Sequence, residues 1–120
     1  MAMRDQNWQE AASQSDHLLR LNPVDFPQAW LYNALSNYYL KNKDVAEKSA
    51  REGIARDTAH RFPMMNHLLG VILAQKQDYA GAAQNMRDYL HYAPDGTDTE
   101  EVKRQLAEVE KHTEPQAKKQ

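Results

Sequence analysis

The chain has 120 residues, no cysteine, and a formal charge of −2 from 15 basic and 17 acidic side chains that are interleaved along its length. One compact domain fits in that length and two do not. Without an electropositive stripe the chain is a poor partner for nucleic acid or an anionic membrane, and without cysteine it has neither disulfides nor thiolate metal sites, which leaves its compartment open.

Four glycines and five prolines are few, while alanine, leucine, glutamate, lysine and glutamine are plentiful, a mix that favours helices. In chain order, the first apolar-periodic segment runs over 7–21, with Trp8, Ala11 and Leu18 on its stripe, and stops at "NPVDFP". The second, 28–40, contains "WLYNALSNYYL". Trp30, Ala34, Tyr38 and Tyr32 recur there at helical spacing, a pattern that suits packing between helices for Trp30 and Tyr32 and leaves core or groove open for Tyr38. Tyr38 and Tyr39 are adjacent, about 100° apart on a helix, so one faces a core and the other a surface. A third segment covers 44–56 after "KNK", a fourth 64–75 after "DTAHRFP", a fifth 79–92 after "KQD", and a sixth 100–109 after "PDGTDT". Each is too long and too 3.6-periodic for a strand. Pro23, Pro27 and Pro63 cannot continue a preceding helix but fit a first turn. Thr97 or Asp98, with Glu100 and Glu101 behind it, offers a capping box for the sixth helix. No apolar run approaches the roughly 20 residues that span a bilayer, and "MAMRDQNW" lacks the apolar core of a signal peptide. From His112 the chain is expected to be a disordered polar tail.

The segments repeat. Pro27 and Pro63, Ala34 and Gly70, and Ala46 and Ala82 are each 36 residues apart, and Ala11 and Ala46 are 35 apart. Ala34 and Gly70 fall in the middle of the first helix of a pair, and Ala11, Ala46 and Ala82 early in the second. Small side chains there allow helices to cross closely.

The stretch 67–94, with Leu69-Gly70, Asp78-Tyr79, Ala82, Met86 and Pro94, resembles the tetratricopeptide repeat. The unit before it is degraded but in register: Trp30 stands at the family's tryptophan, Asn33-Ala34 replaces Leu-Gly, and Thr58 replaces the closing proline. "WQEAASQSDHLLRLNP" resembles only the second helix of a unit. The resemblance implies an all-α solenoid, a right-handed superhelix of antiparallel helix pairs. It would have a half-unit at 7–23, units at 27–58 and 63–94, a capping helix at 98–111 and a tail at 112–120. The whole of 1–111 would be one domain, expected to be the C-terminal piece of a longer repeat-containing protein. The half-unit's uncovered stripe, including Trp8 and Leu18, would then offer a face for self-association.

No chemistry emerges beside it. His17, His60, His67, His91 and His112 are scattered, with no pair at metal-ligand spacing, so no metal or cofactor is expected. There is no nucleophile elbow and no glycine-rich phosphate loop. Paired carboxylates such as Asp95 with Asp98 or Glu100 with Glu101 sit at a helix start, where they favour the dipole. The expectation is a protein that is not an enzyme. By the resemblance, the first helix of each pair lines a concave groove for a peptide or helix of another protein, formed here by Leu31, Leu35, Tyr38 and Tyr39 with His67, Val71, Ala74 and Gln75. Such a tyrosine-rich, charge-poor surface suits an apolar or aromatic segment. The groove positions carry none of the lysines and asparagine pairs with which some members of the family grip a carboxylate. The alternative expectation is a spacer or cap of a longer solenoid whose activity lies elsewhere.

Overall fold

The computed structural model describes the backbone of residues 2–113 and the side chains of residues 7–113. Six helices, with no strand among the described residues, follow in order: α1 (Ala2–Leu21), α2 (Pro27–Tyr39), α3 (Lys43–Arg56), α4 (Met64–Gln75), α5 (Tyr79–Tyr92) and α6 (Thr99–Thr113). Five of the six expected segments match to within a residue at their first position. α1 begins five residues earlier than expected, and α6 runs on through His112 and Thr113, residues assigned by sequence to the tail. That extension has a physical cause: the His112 ring stacks on Tyr79 of α5, centroids 4.2 Å apart. The tail beyond Thr113 lies outside the described residues.

Punctuation explains the helix ends. Pro27 occupies the first position of α2, where its missing N–H costs nothing, and the Asp78 carboxylate accepts from the Gly81 amide at 3.1 Å to cap α5. The start of α6 departs from the capping box expected of Thr97 or Asp98. Thr99 ties it down instead, its hydroxyl donating to the Ala93 carbonyl at 2.8 Å.

The 36-residue offset recurs in the turns. Between α2 and α3, the amides of Leu40, Lys41 and Asn42 donate to the carbonyls of Ser36, Tyr38 and Asn37. Between α4 and α5, those of Lys76, Gln77 and Asp78 donate to Ile72, Ala74 and Leu73, each partner 36 residues on. Lys41 and Gln77 both have φ 68°, the left-handed residue that closes a helix while satisfying its last carbonyls. Neither is glycine, so each turn holds a mildly unfavourable backbone state that the surrounding packing enforces.

Each helix packs on its chain neighbours, and α2 also touches α4. Side-chain contacts give the directions. Trp8, early in α1, stacks on Tyr39 at the end of α2, and Tyr79 at the start of α5 meets His112 at the end of α6, so consecutive helices run antiparallel. Tyr38 and Gln75, both at helix ends, share a hydrogen bond, so α2 and α4 run parallel. The result is an elongated body of 53 × 33 × 23 Å.

Its core changes character along the chain. From α3 to α6 it is apolar, with Leu69, Ile72, Met86 and Val102 all sealed from solvent around Ala46 and Ala82. Small residues set the crossings as expected: Ala34, Ala46 and Ala82 are 0 % exposed, and a methyl group on Gly70 would stand 3.0 Å from Met86 Cγ. Between α1, α2 and α3 the core is polar. Asn33 is 2 % exposed and donates to Ser15 Oγ at 3.0 Å and Asp16 Oδ1 at 2.7 Å, while the Ser49 hydroxyl donates to its Oδ1 at 2.6 Å. Asn33 is thus the hub of a satisfied buried network. Asp57, also buried, accepts from the amides of Arg61 and Phe62 at 3.0 and 2.8 Å and orders the loop into α4.

Candidate binding cleft

The parallel alternate helices leave a cleft of about 490 Å³ between them. α2 contributes Leu35, Tyr38 and Tyr39, and α4 contributes Met64, His67, Leu68 and Val71. The third wall is Asp98, just before α6, with Glu101 and Gln105, and Trp8 of α1 closes one end. This cleft joins five of the eight residues assigned to a groove by sequence: Leu35, Tyr38, Tyr39, His67 and Val71.

The other three lie elsewhere. Leu31 is 7 % exposed and belongs to the packed interior, because it sits one turn before Leu35, where α2 is already covered. Ala74 is half-buried against the apolar core. Gln75 faces an adjoining hollow of about 960 Å³, shared with Tyr38 and Tyr39 and rimmed by Lys41, Lys43 and Lys76, and its amide donates to Tyr38 Oη at 3.0 Å. Within that rim the Lys76 ammonium meets Asp44 and, at 2.7 Å, Glu47. Hydrogen bonds from Lys76 hold both carboxyls below their ordinary values, and those same bonds, to Asp44 foremost, raise the ammonium above its own.

The tyrosines divide by exposure. Tyr38 is half-buried against the core, whereas Tyr39 is 52 % exposed and stacks on Trp8 at 4.6 Å with an interplanar angle of 20°. Tyr32, expected in a core, is 57 % exposed. It lies on the outer side of α1 and α2, among Ala11, Ser15 and Leu18. Trp30 is half-buried, its indole N–H donating to the Pro23 carbonyl at 2.9 Å, with the Arg56 guanidinium 5.3 Å from its ring.

Hydrogen bonds orient the α4–α6 wall. The Gln105 amide nitrogen donates to Glu101 at 3.1 Å, which turns its oxygen toward His67 Nε2, 2.8 Å away. His67 Nε2 is therefore the donor, and Nδ1 is left facing Asp98 Oδ2 at 3.8 Å. His60 is engaged away from the cleft, stacked on Tyr92 at 3.9 Å.

Trp8, Met64, Leu68, Asp98, Glu101 and Gln105 were missed by sequence. The repeat offset does not find the last of them: 35 or 36 residues beyond Val71 lie Leu106 and Ala107, so Gln105 enters the cleft only through the way α6 docks.

Among the described residues, no group of three or more His, Asp or Glu side chains is placed to hold a metal ion. None of their helices is long and apolar enough to cross a membrane. No family model matches the sequence, and no curated protein matches it.

Proposed function

We propose that the chain is a segment of a tetratricopeptide-like solenoid, a right-handed superhelix of antiparallel helix pairs, and that it holds a peptide or helix of another protein in the cleft without catalysis. The observation that carries this reading is the cleft's construction: alternate, parallel helices α2, α4 and α6 present one concave surface, with the exposed faces of Trp8, Tyr38 and Tyr39 at one end. Stacked aromatics supply large rigid contact area at small entropic cost. A catalytic reading finds little to use. No serine, threonine, cysteine or lysine lines the cleft, so His67 has no hydroxyl, thiol or amine of those residues to activate there.

The test is panning of a displayed peptide library against the chain and against a Tyr39→Ser/Met64→Ser variant. Both side chains are substantially exposed, but Tyr39 also stacks on Trp8, so the two proteins are compared at a temperature well below both melts. Peptides enriched by the parent and lost by the variant support the cleft. Enrichment that survives the variant, or none at all, refutes it.

A second reading, that of a spacer or stacking element, draws on one specific observation. Leu18 and Tyr32 are 36 and 57 % exposed on the outer side of α1 and α2, and Leu21 at the end of α1 is 71 % exposed; a further helix layer would cover such a surface. The same surface serves self-association, which a Leu21→Glu/Tyr32→Glu variant would abolish in sedimentation.

A further inference from the structure

The walls of the cleft differ in charge, and that difference selects a ligand. Resting on the peptide-binding reading above, we propose that the bound segment carries a lysine or arginine beside an apolar residue. Its cationic head lies against Asp98 and Glu101, and its apolar neighbour packs toward Trp8 and Tyr39.

Asp98 and Glu101 are both open to solvent at the cleft wall, the Asp98 side chain 39 % exposed. Neither forms an ion pair with lysine or arginine among the described side chains, Asp98 facing only the His67 ring at 3.8 Å, although Glu100 next door is paired with Lys103. The hydrogen bond that Glu101 receives comes from a neutral amide, so its charge stays uncompensated. The start of α6 supplies about half a positive charge, which two full carboxylates outweigh. No lysine or arginine lines the cleft.

The position of the cation follows from what lies at the other end. Across Tyr38 and Tyr39 the rim carries Lys41 and Lys43, with Lys76 neutralised by Asp44 and Glu47, so that side has no net negative charge to draw a cation. A lysine or arginine stem is apolar, so it can run along Met64 and Val71 while its head reaches the carboxylates. Arginine has the further option of forking onto a carboxylate with two parallel bonds. An acidic segment would meet like charge on the α6 wall and gain nothing there.

The experiment uses positional-scanning octapeptide pools, each fixed at one position as Arg, Lys, Gln, Glu or Leu. They are titrated against the chain, Asp98→Asn/Glu101→Gln and Asp98→Lys/Glu101→Lys. The neutral pair is isosteric and keeps the hydrogen bond to Gln105, and equal melts certify the fold. The expected result has two parts. Arg and Lys pools bind best and lose about tenfold with the neutral pair, while the Leu pools are unchanged. The lysine pair then shifts preference to Glu pools. Raising salt from about 50 to about 500 mM erases the Arg advantage in the parent, since exposed charges are screened over a few ångströms at that strength. Binding with no preference for Arg or Lys, or a preference that the neutral pair leaves intact, overturns this inference and leaves the peptide cleft standing. No binding by any pool overturns both.

Discussion

Gly53 of α3 is where the packing tolerates least. A methyl group added there would lie 2.6 Å from Trp30 Cβ and closer still to Met65 Sδ. The methionine is flexible and can move its sulfur. Trp30 Cβ cannot move, because it is one bond from the α2 backbone, and it stands roughly 0.8 Å inside ordinary contact at 3.4 Å. Gly53→Ala therefore forces α3 away from α2 along the seam where the Asn33 network joins them. Overpacking of this kind costs about 1–3 kcal/mol, and the better helix propensity of alanine returns up to about 1 kcal/mol. With Trp30 Cβ fixed at 2.6 Å the crowding belongs in the upper part of that range, so the net loss is about 1–2 kcal/mol. At an unfolding entropy of roughly 2.1 cal/mol/K per residue, that lowers Tm by about 4–8 °C. Gly70→Ala is the control. Its nearest neighbours, Met86 Cγ at 3.0 Å and the Ala82 carbonyl at 3.2 Å, need yield only a few tenths of an ångström, so propensity and crowding nearly cancel and Tm moves by about 2 °C or less. Thermal melts followed by far-UV circular dichroism, with urea titrations beside them, measure both. A Gly53→Ala melt at or above that of the parent would refute the close α2–α3 approach.

Three further outcomes are expected. Asn33→Leu removes the acceptor of the buried Ser49 hydroxyl and should cost about 1–3 kcal/mol; adding Ser49→Ala should recover at least half, and urea titrations that find the double variant no better than the single would break the network reading. Asp57→Ala leaves the Arg61 and Phe62 amides without their acceptor, so hydrogen exchange at those two amides should accelerate more than at Leu69, with about 1–3 kcal/mol lost overall. The cluster of Lys76 with Asp44 and Glu47 gives a pH signature. Depressed carboxyl values mean stability present above the ordinary values of 3.8 and 4.5 and lost as pH falls through the lower folded ones. The raised ammonium means stability present below 10.5 and lost as pH climbs through its folded value. Lys76→Met should therefore flatten the acid limb of urea midpoint against pH. The effect should be small and salt-sensitive, as exposed pairs are, and an unchanged limb would remove the cluster's role.

Local chemistry was legible because it acts over a few residues. Apolar period and proline placement located five helix starts to within a residue, and the 36-residue offset anticipated sealed crossings at Ala34, Ala46 and Ala82. α6 ran longer than its pattern because its exposed polar last turn carries no periodic signal. The ring of Tyr79 that holds His112 in a helix belongs to another element.

Which side of a helix becomes cleft, core or open face was decided only by the tertiary structure. Leu31 and Leu35 are a turn apart with the same chemistry, yet the packing of the neighbouring helices buries the first and leaves the second at the cleft. Tyr32 and Tyr38 share a helix but are separated by the direction from which α1 and α4 approach it. Asn33 looks in sequence like a damaged Leu-Gly pair, and only Asp16 and Ser49, 17 and 16 residues away, make it a hub. The sequence by itself determined six helices, their turns and the period on which they repeat, since each follows from backbone preferences and spacing within one segment. The acidic wall, the Trp8 stack and the membership of the cleft depend on distances between segments, which come into being only when the helices dock.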